Sequence, residues 1–219
     1  MVTTWRQPAW LAVGAAACFV VLAVLVATGT TQALDVAVVQ RLRPRDAWGP
    51  EQVMWSPWMS RLRPQHMYVL LAATSVAAVA WRRTWWPLLF GAVLAASSVA
   101  LTVLAKVALD RPDPHGWVAT SGGSYPSGHV VALLVCLSGC LLLACPRVRW
   151  WLWSPVVGAA ALLTVSLLVS AAHWPTDVLG GALLAVTVVA ALSTVSLRQR
   201  AVAPAPRNAR SRGATTSAS

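Results

Sequence analysis

The chain has 219 residues, of which 58% are hydrophobic and 11% charged, and its 17 Lys+Arg against 6 Asp+Glu give a net charge of +11. A soluble domain carries about a quarter charged residues, so this composition excludes an ordinary water-soluble globule and points to a membrane protein. In that setting the basic excess follows from the positive-inside rule and from anionic lipid headgroups, and it implies no nucleic-acid partner.

A spanning helix needs about 20 mostly apolar residues. Six segments fit, at roughly 9–29, 66–81, 86–108, 128–145, 152–172 and 177–196. The predicted fold is therefore all-α, a polytopic membrane protein with six transmembrane helices. Arg6 precedes the first segment, but its apolar core exceeds the ~7–15 residues of a signal peptide, so it reads as a retained helix. The stretch from about 30 to 65 carries Trp48, Trp55, Trp58 and several prolines, and is expected to lie along the outer surface as an amphipathic segment. Trp81, Trp85 and Trp86 flank one turn and Trp150, Trp151 and Trp153 the next, as boundary anchors. Cys18, Cys136, Cys140 and Cys145 fall within or beside apolar runs and read as small buried hydrophobes. Residues 1–197 form the membrane domain. The Ala/Pro/Arg/Ser-rich tail, 198–219, is expected to be disordered.

Six spans put both termini on one side. The segments on that side hold Arg6, Arg82, Arg83, Arg147, Arg149 and five tail arginines, with no acid. The other side holds seven basic residues and all six acids. The first side is predicted to be cytoplasmic.

Under this topology three polar clusters fall on the outer side. Lys106, Arg111, Asp113 and His115 follow the third span, Ser127, Gly128 and His129 open the fourth, and His173 and Asp177 join the fifth to the sixth. Ionisable residues at membrane depth are costly, and a convergent set marks a candidate site. Ser127 suits an N-cap, and Gly128 lets a ligand approach the backbone. The exposed N–H groups of the helix start would bind an anion, with Lys106 and Arg111 adding positive charge. Asp177, near the start of the sixth helix, can reach His173 and fix its tautomer. Two histidines suit a two-step transfer, one attacking phosphorus and one moving the proton. His66, by contrast, reads as an amphipathic anchor.

Lys106, Pro126-Ser127-Gly128-His129 and His173-x-x-x-Asp177 together resemble the type 2 phosphatidic acid phosphatase superfamily over about residues 66–190. These are six-span lipid phosphate and lipid diphosphate phosphatases, related in their site to vanadium haloperoxidases. The resemblance implies a phosphohistidine at His173, support from Asp177, acid/base work by His129, and phosphate binding by Lys106, Arg111, Ser127 and Gly128, with no metal or other cofactor. It implies a lipid phosphate substrate, a multi-pass location in the cell membrane and an active site on the outer face.

The sequence departs from the family pattern at two points. The first motif runs Lys, six residues, Arg-Pro; here Asp113-Pro114 holds that place and Arg111-Pro112 lies two residues earlier. The third motif opens Ser-Arg, and here the pair is Ser166-Leu167. These departures keep open a non-catalytic lipid-phosphate binder or flippase-like protein; a phosphotransferase, in which a lipid or sugar alcohol rather than water takes the phosphoryl group, stays open as well.

Overall fold

The computed structural model describes residues 9–119, 122–194 and 196–203. Among them the chain forms α1 (Ala9–Ala27), α2 (Gln32–Leu42), α3 (Pro50–Arg61), α4 (Pro64–Arg82), α5 (Trp86–Leu109), α6 (Gly128–Ala144), α7 (Ser154–Val169), α8 (Pro175–Thr194) and α9 (Ser196–Val202). Short 3-10 turns at Pro44–Asp46 and Trp150–Trp153 join them. The protein is all-α, as expected, and each of the six expected spans is a helix. Proline occupies the first helical turn of α3, α4, α5, α7 and α8, where its missing N–H costs nothing and its fixed φ suits the helix.

α1, α5, α8 and the continuous stretch Trp150–Val169 are each long and apolar enough to cross a membrane. α6 is apolar but only 17 residues long. Its place in the bundle explains its composition: it packs against α4, α5, α7 and α8 and buries Val130 through Leu133, Val135, Cys136, Leu142 and Leu143. A helix that is apolar all round belongs at a bundle centre. α1 lies at the edge, against α8, burying only Ala15, Leu22 and Val26. Its Val13, Val20, Val21 and Val24 face outward, as lipid contact requires.

The 30–65 stretch is more than a surface strip. α3 docks along α7, where the Ser166 hydroxyl inserts into a helical turn of α3, donating to the Trp55 carbonyl at 2.8 Å and accepting from the Met59 N–H at 3.1 Å. α2 carries Asp35 into the bundle, where it is fully buried. Arg43, after α2, donates to the Ser170 carbonyl at 3.0 Å and so straps this stretch to the turn before His173. The expected boundary of the tail also shifts. Residues 196–202 are helical, with Ala201 buried and the Arg82 guanidinium donating to its carbonyl, while 204–219 lie outside the described residues.

Candidate active site

The end of the bundle opposite the arginine-rich turns holds a cavity of about 340 Å³, lined in part by Lys106, Asp113, Gly128, His129 and His173. Three chain segments converge there.

The first is the end of α5 with the loop that follows it. Lys106 lies in the last turn of α5, half-buried, and its Nζ donates to the Gly123 carbonyl. Gly123 lets the returning loop pass tightly over this helix end: a Cβ there would meet the Arg111 nitrogen at 2.2 Å. Asp113 accepts the backbone N–H groups of His115 and Trp117 on one carboxylate oxygen, which fixes the rim. His115 points elsewhere, toward Asp46 and Arg43 beside a second cavity.

The second is the start of α6. Ser127 is its N-cap residue, and its N–H donates to the Asp177 carbonyl at 2.9 Å. The N–H groups of the first turn have no partner within the helix. Gly128 and His129 line the cavity; Ser127 lies just behind it. The Ser127 hydroxyl is fully buried and finds no hydrogen-bond partner among the described residues. Tyr125, also fully buried, stacks on Phe19. Burial and the Asp177 carboxylate push its hydroxyl pKa up, against the opposing pull of Arg111, so it stays a neutral phenol.

The third is the turn between α7 and α8. His173 precedes α8 and Asp177 lies in its first turn. Asp177 Oδ2 accepts the Trp174 N–H at 3.0 Å and faces His173 Nδ1 at 3.4 Å. A proton on Nδ1 leaves Nε2 as the lone pair of the ring. The His173 and His129 rings meet edge-on with centroids 6.1 Å apart.

Arg111 is the exception among the expected ligands. It does not line the cavity. Its guanidinium is buried behind it, paired with Asp177 at 2.8 Å and Asp35 at 2.7 Å, with Thr176 and Gln32 as further partners. Two carboxylates hold a planar fork more strongly than a solvent-facing cavity could. Leu167, at the position of the second family arginine, is fully buried in the core.

Sequence reasoning missed Asp35 and Thr176. Neither carries a local signal, since Asp35 meets Arg111 across 76 positions and Thr176 across 141.

The fold and this end of the bundle define an all-helical, multi-pass membrane protein with paired histidines and a buried Asp–His contact beside a small cavity. Residues 84–201, more than half the chain, match the PAP2 superfamily, and the protein belongs to that family. Among solved structures it is similar to the crystal structure described as the first transmembrane PAP2-type phosphatidylglycerolphosphate phosphatase, from Bacillus subtilis. The TM-score is 0.72 at 19% identity, over 84% of this chain and 94% of that one. At that identity the likeness is one of fold. A search of curated proteins gives no significant match.

Proposed function

We propose that the protein is a lipid phosphatase that removes a phosphomonoester or diphosphate headgroup at the outer leaflet through a phosphohistidine. The observation that carries this reading is the placement of His173 and His129 on facing walls of one cavity, with Asp177 behind His173. A site that only bound phosphate would need donors but no Asp-supported imidazole.

In the first step His173 Nε2 attacks phosphorus. The N–P bond forms, the bond from phosphorus to the lipid oxygen breaks, and His129 gives that oxygen its proton. In the second step His129 takes a proton from water. The resulting hydroxide attacks phosphorus, the N–P bond breaks and phosphate leaves. Asp177 accepts the Nδ1 hydrogen bond throughout and balances the positive charge on the phosphorylated ring.

The first-turn N–H groups of α6 and the Lys106 ammonium would hold the equatorial oxygens. The Ser127 hydroxyl, without a partner among the described residues, lies just behind the cavity wall and would join them once its side chain turned toward a bound phosphate. A buried unpaired hydroxyl costs about 1–3 kcal/mol, and a phosphate oxygen would offset that cost. Arg63 adds a cation that the family motifs do not supply. It adjoins the cavity-lining Pro64, is exposed, and stands within electrostatic range of His129.

The test is phosphate release from purified protein in detergent, with chelator present. Phosphatidic acid, phosphatidylglycerophosphate and a polyprenyl diphosphate would be offered in turn, with His173→Ala as control. Release that vanishes in the control is expected. No release from any of them, by folded protein that still binds the lipid, would favour the non-catalytic reading instead.

A further inference from the structure

The catalytic Asp177 does not stand alone behind His173. Its Oδ1 accepts Arg111 Nη1 at 2.8 Å, while Arg111 Nη2 reaches Asp35 Oδ2 at 2.7 Å. Asp35 also accepts both polar hydrogens of Thr176, the residue before Asp177: the backbone N–H at 3.1 Å and the hydroxyl at 2.6 Å. Both carboxylates are fully buried. Asp35 belongs to α2, outside the family-matched segment 84–201.

An arginine paired with Asp177 alone would neutralise it and weaken its hold on a cationic imidazole. Sharing the guanidinium with a second carboxylate leaves the cluster with one negative charge in excess. The remaining Asp177 oxygen, Oδ2, faces His173. Asp35 also caps the first turn of α8 from another helix, which fixes the direction in which Asp177 points. The charged and titratable groups around this turn are Asp177 on α8, His129 on α6, Lys106 on α5, Arg111, Asp113 and Tyr125 in the α5–α6 loop, Asp35 on α2, Arg43 after α2, whose guanidinium bonds the Ser170 carbonyl, and Arg63 before α4.

We propose that Asp35 is a positioning residue for the His173–Asp177 pair, acting through Arg111 and Thr176. This rests on the hydrolytic reading for its kinetic consequences, but not for its effect on the imidazole. The experiment compares wild type, Asp35→Asn, Arg111→Gln and the double variant as full chains in detergent, with phosphatidic acid as substrate and side-chain ¹⁵N-histidine NMR as a second readout. Asp35→Asn should lower kcat about 10-fold or more with KM within about 2-fold, the signature of an interaction that matters in the transition state. The double variant should lose clearly less than the sum of the two single losses, because part of the effect of Asp35 runs through Arg111. The Nδ1–H signal of His173 should broaden or vanish in Asp35→Asn. If that variant does not fold, Thr176→Val, which removes one hydroxyl from the same cluster, carries the same expectations.

Wild-type kcat in a folded variant would overturn the proposal. So would additive losses with kcat and KM changing together, which mark a merely structural residue. If wild type releases no phosphate from phosphatidic acid, phosphatidylglycerophosphate or a polyprenyl diphosphate, the NMR comparison decides alone. A His173 signal that depends on Asp35 sustains the positioning role while the hydrolytic reading falls, and an unchanged signal overturns both.

Discussion

At the scale of single residues, the proposed mechanism divides the chemistry between His129 and His173 by position. His173 has a carboxylate behind it; His129 faces it across the cavity and pairs with no carboxylate among the described residues. Replacing His129 with Ala should therefore lower kcat ~100-fold or more with little change in KM, as loss of a general acid does. A raised KM at unchanged kcat, measured by phosphate release, would assign His129 to binding instead. Arg63 should behave in the opposite way. Arg63→Gln should raise KM several-fold, and weaken inhibition by inorganic phosphate in step, with kcat near wild type. Salt should blunt the difference, since the side chain is exposed. His129, His173, Asp177, Lys106 and Gly128 were legible because helix starts and ends can be read from apolar runs, and polar residues at those ends converge. The fate of Arg111 was not legible. Whether an arginine meets a ligand or a carboxylate depends on Asp35, and a lone acid in an amphipathic stretch gives no sign of its partner.

At the scale of helices, close approach sets the geometry. Gly181 on α8 lies where a Cβ would meet the Ser127 carbonyl at 2.8 Å, next to the start of α6. Gly181→Ala should push the Ser127 turn away, costing about 1–3 kcal/mol from overpacking and reducing activity. Gly158→Ala on α7 is the matched control. Nothing lies within 4 Å of its added Cβ, and the better helix former should be neutral or stabilising by about 0.5–1 kcal/mol. Thermal unfolding in detergent separates the two. Equal melting temperatures would show that α6 and α8 tolerate a wider spacing. The helices themselves were readable, because apolar length marks a span whatever it packs on. The docking of α3 on α7 was not, since Ser166 looked like the remnant of a phosphate motif. Its hydroxyl is spent on Trp55 and Met59 instead.

At the scale of the whole molecule, the cavity beside His129 and His173 lies at one end of the bundle and Arg82, Arg83, Arg147 and Arg149 mark the turns at the other. The proposed topology, argued from the charge bias, has the arginine turns in the cytoplasm and the cavity outside. In a background lacking the native cysteines, Gly116→Cys should react in intact cells with a membrane-impermeant maleimide, and Arg147→Cys only after permeabilisation. The reverse pattern would invert the topology and move the substrate to the inner leaflet. The all-helical bundle was legible from the lengths of the apolar runs, all six of which are helices, four of them long and apolar enough to span. The tail was less so: Ser196–Val202 folds back as α9, with Arg200 stacked over Trp86 at 4.7 Å, because its few apolar residues find a groove that only the assembled helices create.

The central claim is that His173 carries the phosphoryl group. Rapid acid-free quenching during turnover of phosphatidic acid, followed by peptide mass spectrometry under basic conditions, reads this directly. One phosphoryl group on His173 is expected, forming and decaying at rates that account for turnover and absent from His173→Ala. Turnover at the same rate with His173 unmodified, or with the phosphoryl group on another residue, would contradict it.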